Sequence, residues 1–113
     1  MRPGLVSLLL LTGGLALPQS YTAAIRGVVT DSSGAAIPTA QVVLTEADRN
    51  VKHTTQTDEA GRYNLSALPP GNYTLSVEAQ GFKRHSQSAF PLTVQQQATL
   101  NVQLEVGAVT STV

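Results

Sequence analysis

The 113-residue chain predicts an all-β fold: a seven-stranded antiparallel β-sandwich preceded by a signal-peptide helix. Three observations predict it. Apolar and polar residues alternate with period two in successive runs from Ala23 onward. Turn chemistry separates those runs at the spacing of roughly 8–12 residues expected of a sandwich. No window carries the apolar i, i+3, i+4 stripe of an amphipathic helix.

The amino-terminal segment reads as an address. Met1-Arg2 gives a short positive start, and Leu5 to Leu17 is uncharged and mostly apolar. About 13 residues fit a signal-peptide core and fall short of the roughly 20 that span a bilayer. Residues 1–20 are therefore expected to be a signal peptide, with cleavage in the 16–24 window after Ala16, Ser20 or Ala24. Residues 21–106 form the sandwich, and 107–113 a carboxy-terminal tail or truncated linker. The mature chain contains no apolar run long enough to span a membrane and is expected to be exported.

Strands are expected at 23–31, 38–46, 51–57, 62–66, 72–79, 82–88 and 92–104, the last interrupted near Gln95–Gln97. The first contains Ile25-Arg26-Gly27-Val28-Val29-Thr30, and the second sets Val42 and Leu44 on one face. Adjacent Val28-Val29 and Val42-Val43 predict strands covered on both faces, or small bulges. Tyr63 and Leu65 alternate with Arg62 and Asn64, and Tyr73, Leu75, Val77 and Ala79 with Asn72, Thr74, Ser76 and Glu78. Leu100, Val102 and Leu104 share the apolar face of the last strand. Apolar faces of this kind need a facing sheet. Glu46–Val51 reads as a charged hairpin loop.

Two turns share the form Asp-x-x-Gly after a Thr: Asp31-Ser32-Ser33-Gly34 and Asp58-Glu59-Ala60-Gly61. Asp at the first position accepts backbone N–H bonds, and Gly relieves the exit. Pro69-Pro70-Gly71-Asn72 has the residue pattern of a type II turn. Leu68-x-Pro70-Gly71-x-Tyr73 has the pattern of a tyrosine corner, in which the phenol bonds backbone near the turn. Pro38 and Pro91 suit strand starts or edges.

Charged residues make up 12% of the chain and the formal net charge is zero, which gives no electrostatic footprint for nucleic acid. Without cysteine there is no disulfide, thiolate metal site or Cys nucleophile. Tyr21, Tyr63, Tyr73, Phe82 and Phe90 are the whole aromatic set, few for a sugar-stacking platform. His53 and His85 read as exposed strand or loop residues outside any metal-ligand spacing. Asp58-Glu59 reads as turn chemistry, and a cation held by Asp31, Asp58 and nearby carbonyls is a minor option. Lys83-Arg84-His85 beside Phe82 reads as a solvated strand end that could touch an anionic group. Asn64-Leu65-Ser66 and Asn72-Tyr73-Thr74 match the glycosylation pattern. No catalytic residues, metal ligands or cofactors are assigned, and the ligand-binding residues are left open.

Two phrases carry a family resemblance. One is Ile25-Arg26-Gly27-Val28-Val29-Thr30-Asp31, then Gly34 and Ile37-Pro38-Thr39-Ala40-Gln41-Val42. The other is Thr57-Asp58-Glu59-Ala60-Gly61-Arg62-Tyr63-Asn64-Leu65, Leu68 to Val77, and Gly81-Phe82. Over about residues 24–106 the chain resembles the carboxypeptidase regulatory-like domain, a transthyretin-like or immunoglobulin-like, carbohydrate-binding-like sandwich. The ending Leu104-Glu105-Val106-Gly107-Ala108-Val109-Thr110 resembles the join to the plug of TonB-dependent, Oar-like outer-membrane receptors. The resemblance implies a non-enzymatic module in the periplasm or at the outer membrane, or otherwise secreted. Its partner would be the plug and barrel of a receptor or another envelope protein. The alternative is a carbohydrate-binding module of a secreted or cell-surface protein. A hydrolase would need a catalytic constellation that these residues do not form. A similar sandwich in Gram-positive adhesins carries a Lys–Asn crosslink from its first strand, where this chain has Arg26, a group that stays protonated.

Overall fold

The structure, a computed structural model, describes residues 21–107; the signal peptide expected at 1–20 and the tail beyond Gly107 lie outside the described residues. Eight strands follow in order: β1 (Ala23–Thr30), β2 (Gln41–Glu46), β3 (Val51–Gln56), β4 (Arg62–Leu68), β5 (Gly71–Glu78), β6 (His85–Leu92), β7 (Gln97–Thr99) and β8 (Val102–Gln103). One sheet has the order β4-β1-β7, with β8 also on β1; the other runs β3-β2-β5-β6.

Period-two alternation becomes burial in both sheets. Ile25 and Val29 of β1, Val42 and Leu44 of β2, and Tyr73, Leu75 and Val77 of β5 are each at most 1% exposed. Tyr63, Leu68, Leu92, Val102 and Leu104 complete the core, with Ile37 and Ala40 from the β1–β2 connection. Removing this apolar area from water at about 25 cal/mol per Å² is the main force holding the two sheets face to face. Val28 and Val43, the outward members of the two valine pairs, remain half-buried, and no register shift occurs at either pair.

Three differences from the sequence expectation have local causes. The sheet that holds β1 is mixed, because β7 and β8 both run parallel to β1. The expected single strand at 92–104 becomes these two short ones in a common register, Ala24 opposite Gln97 and Val29 opposite Val102. Between them the Val28 N–H donates to Asn101 Oδ1 at 2.9 Å instead of to a backbone carbonyl, so a side chain interrupts the ladder. The strand expected at 82–88 lies at His85–Leu92 instead. Its register steps from Gln87 opposite Leu75 to Phe90 opposite Tyr73, so Ser88–Ala89 carries a bulge that breaks the alternation. Pro91 sits in this edge strand, where a missing donor is tolerated. Finally, Gly71 opens β5 with φ 158°, far from the roughly +80° of a type II turn. The positive-φ residue nearby is Ala67, φ 57°, in a β4 bulge between Leu65, opposite Ile25, and Leu68, opposite Ala23.

Candidate contact surface

The two Asp-x-x-Gly turns are built alike. Asp31 Oδ1 accepts the N–H groups of Ser33 at 2.8 Å and Ala35 at 3.0 Å, and Asp58 Oδ1 accepts those of Ala60 and Arg62, both at 2.9 Å. Gly34 N–H and Gly61 N–H close the turns onto the Asp31 and Asp58 carbonyls at 3.0 and 2.9 Å. The Ser33 hydroxyl, and next the Ala35 N–H, hold the Asp31 carboxyl below its ordinary range. One oxygen of each carboxylate is thus occupied by its own turn. Gly61 has φ 76°, and a Cβ there would stand 2.6 Å from the Val29 carbonyl oxygen, so this position requires glycine twice over. Thr57, 4% exposed, fastens the turn to the β1–β2 connection: its hydroxyl donates to Ile37 O at 2.7 Å and accepts Ala40 N–H at 2.8 Å.

Both core phenols are committed. The Tyr73 hydroxyl donates to the Pro69 carbonyl, which is the tyrosine corner read from the sequence. The Tyr63 hydroxyl donates to Leu100 O at 2.6 Å, and burial pushes its ionisation up to about 12. That carbonyl occupies the space of a missing side chain: a Cβ on Gly27 would lie 1.8 Å from it. Gly27, Tyr63 and Leu100 together fix the line along which β7 and β8 run beside β1.

The outward side of the same sheet is polar. Arg26 and Val28 of β1 pair with Asn64 and Arg62 of β4, and Arg26 also pairs with Thr99 of β7. With Asn101 these residues line an open groove of about 580 Å³ that reaches Thr55 and Gln56 at the end of β3. Among the described residues neither guanidinium has an ion-pair partner. Asp58 also borders the groove, with its Oδ1 held in the turn.

Several other charged groups are paired. Lys83 lies 3.8 Å from Glu105, and Arg84 bonds Glu78, which neutralises the short basic run. The histidines are less exposed than expected. His85 is half-buried in β6 opposite Val77, and His53 is half-buried with Nε2 2.9 Å from Glu46 Oε2 and its ring 6.2 Å from that of Tyr73. Glu46 is only 7% exposed and also receives Arg49 at 2.7 Å. The bond from His53, then that from Arg49, keeps the Glu46 carboxyl below its ordinary value. No local pattern joins its members: Glu46 ends one expected strand, Arg49 lies in the expected hairpin loop and His53 in the next expected strand. The register of Leu44 with His53 brings them together.

Among the described residues no group of three or more His, Cys, Asp or Glu side chains is placed to hold a metal ion. No helix among them is long and apolar enough to cross a membrane.

Two facing sheets, committed phenols and an open polar face define a β-sandwich module. The carboxypeptidase regulatory-like domain family matches residues 24–105, and the chain belongs to it. It is 39% identical over 97 residues to the TonB-dependent transporter Oar of Myxococcus xanthus; the match takes in 84% of this chain and 9% of that protein. The Bacillus anthracis TIE protein superposes with TM-score 0.64 at 16% identity, over 76% of this chain and 17% of that one. A streptococcal ancillary pilin gives 0.61 at 17%, over 79% and 34%. Catechol 1,2-dioxygenase of Acinetobacter radioresistens gives 0.63 at 16%, over 80% and 53%. Identities this low show the fold alone. The matched family is a regulatory-like domain and not a catalytic family.

Proposed function

We propose that the chain is a non-enzymatic, exported β-sandwich module that makes protein contacts in the cell envelope, in the context of a TonB-dependent receptor. The observation that carries this reading is the 39% identity to a TonB-dependent transporter over 84% of the chain. The apolar leader Leu5–Leu17 supports export. Turn carboxylates bonded to backbone and phenols bonded to carbonyls support a structural use of the groups that a hydrolase would need free. No aromatic side chain stands open on the groove to stack a sugar: Tyr63 alone lines it, at 3% exposure.

Two measurements test the reading. Alkaline phosphatase fused after Val113 in a Gram-negative host should be active, and inactive once residues 1–20 are deleted; activity independent of 1–20 contradicts export by this leader. The purified chain should also bind a purified plug domain from a TonB-dependent transporter by calorimetry. Absence of heat at millimolar concentration contradicts the receptor context.

A further inference from the structure

We infer that the outer face of the β4-β1-β7 sheet is a docking site for an extended acidic peptide segment with carboxylates at alternate positions. The inference rests on the module reading above and gives it a location and a partner chemistry. Arg26 and Arg62 lie on neighbouring strands one diagonal step apart, since Arg26 faces Asn64 and Arg62 faces Val28. Diagonal neighbours of an antiparallel pair are about 7–8 Å apart. Alternate side chains on one face of an extended chain are about 7 Å apart. An acid-x-acid segment can therefore offer one carboxylate to each guanidinium, and the fork of an arginine suits a carboxylate bidentately.

The floor between the arginines is Val28, half-buried, which accommodates the intervening backbone. Asn101 commits its Oδ1 to the Val28 N–H, which leaves its amide N–H groups to donate to a peptide carbonyl. Asn64 and Thr99 add polar groups on either side. The face is three strands wide, about 10 Å at the spacing of sheet strands, enough for one extended chain. Asp58 is the one acidic residue bordering the groove, against two arginines. The other basic run, Lys83-Arg84, is already answered by Glu105 and Glu78 and so lacks this demand for a counter-charge. With its single lining aromatic buried, the groove favours a peptide over a glycan.

The test is an amide NMR titration of the chain at low salt with three probes. A peptide of alternating Glu and Thr should shift the signals of Arg26, Val28, Arg62 and Asn101. R26Q/R62Q should raise its Kd at least tenfold at unchanged Tm, while K83Q/R84Q should leave it unchanged. No shift in that patch, or equal Kd in R26Q/R62Q, overturns the inference. So does binding of an oligouronate in the same groove without the peptide, which would make it a glycan site. The third probe, a purified receptor plug, separates the two levels. Plug-induced shifts confined to β5 and β6 overturn the groove and leave the module reading standing; no plug-induced shift anywhere removes that reading as well.

Discussion

Tyr63 holds its hydroxyl against the Leu100 carbonyl while only 3% exposed, and its pKa is raised from 10.0 to about 12. A folded-state value above the unfolded one means that the stability tied to the neutral phenol is complete below pH 10 and is lost as pH rises through 12. Tyr63→Phe should flatten that alkaline fall in urea midpoints measured against pH, at a loss of about 1 kcal/mol at neutral pH. Glu46 has the opposite sign. Its pKa is lowered from 4.5, chiefly by His53, so its contribution is present above 4.5 and disappears as pH falls through the lowered value. Glu46→Gln should flatten the acid limb of the same profile. Tyr73→Phe removes the donor to the Pro69 carbonyl and should lower stability by about 1 kcal/mol, read from the same midpoints.

At the scale of strands and turns, the close approach of the carboxy-terminal segment to β1 depends on Gly27. Gly27→Ala drives a Cβ into the Leu100 carbonyl, a backbone atom that cannot rotate away. A loss of about 3 kcal/mol or more is expected by thermal unfolding. Ala67 holds a left-handed φ of 57° in the β4 bulge. Such a conformation costs an L-residue about 1–2 kcal/mol, and glycine's added chain entropy offsets about half of that. Ala67→Gly should therefore raise stability by about 0.5–1 kcal/mol. Much at this scale was legible in the sequence. The alternation of Tyr73, Leu75 and Val77 located β5, and the Asp-x-x-Gly phrases located both capped turns. What was not legible is non-local. Nothing in the pattern around Asn101 shows that its side chain replaces a ladder carbonyl, and the parallel return onto β1 is set by the path of the chain rather than by periodicity. The Ser88–Ala89 bulge masked the phase of β6. The arginine face escapes for a similar reason: Arg26 and Arg62 belong to separate expected strands, and only the β1–β4 register joins them.

For the whole molecule, the core belongs to both sheets at once: Ile25 and Val29 come from one, and Leu44, Leu75 and Val77 from the other. Leu75→Ala should lower stability by about 2–5 kcal/mol and keep a single cooperative transition in calorimetry, because neither sheet has a second core to fall back on. The sandwich leaves two broad outer faces, and the receptor-module account requires that at least one be covered by protein in the envelope. A photo-crosslinking residue placed in living cells at Asn64, in the groove, or at Ser88, on the edge strand β6, decides this most directly, since both positions are exposed. The account predicts a covalent adduct from Asn64 to a TonB-dependent receptor polypeptide, identified by mass spectrometry, with none from Ser88. Adducts from neither position to any receptor polypeptide would contradict it.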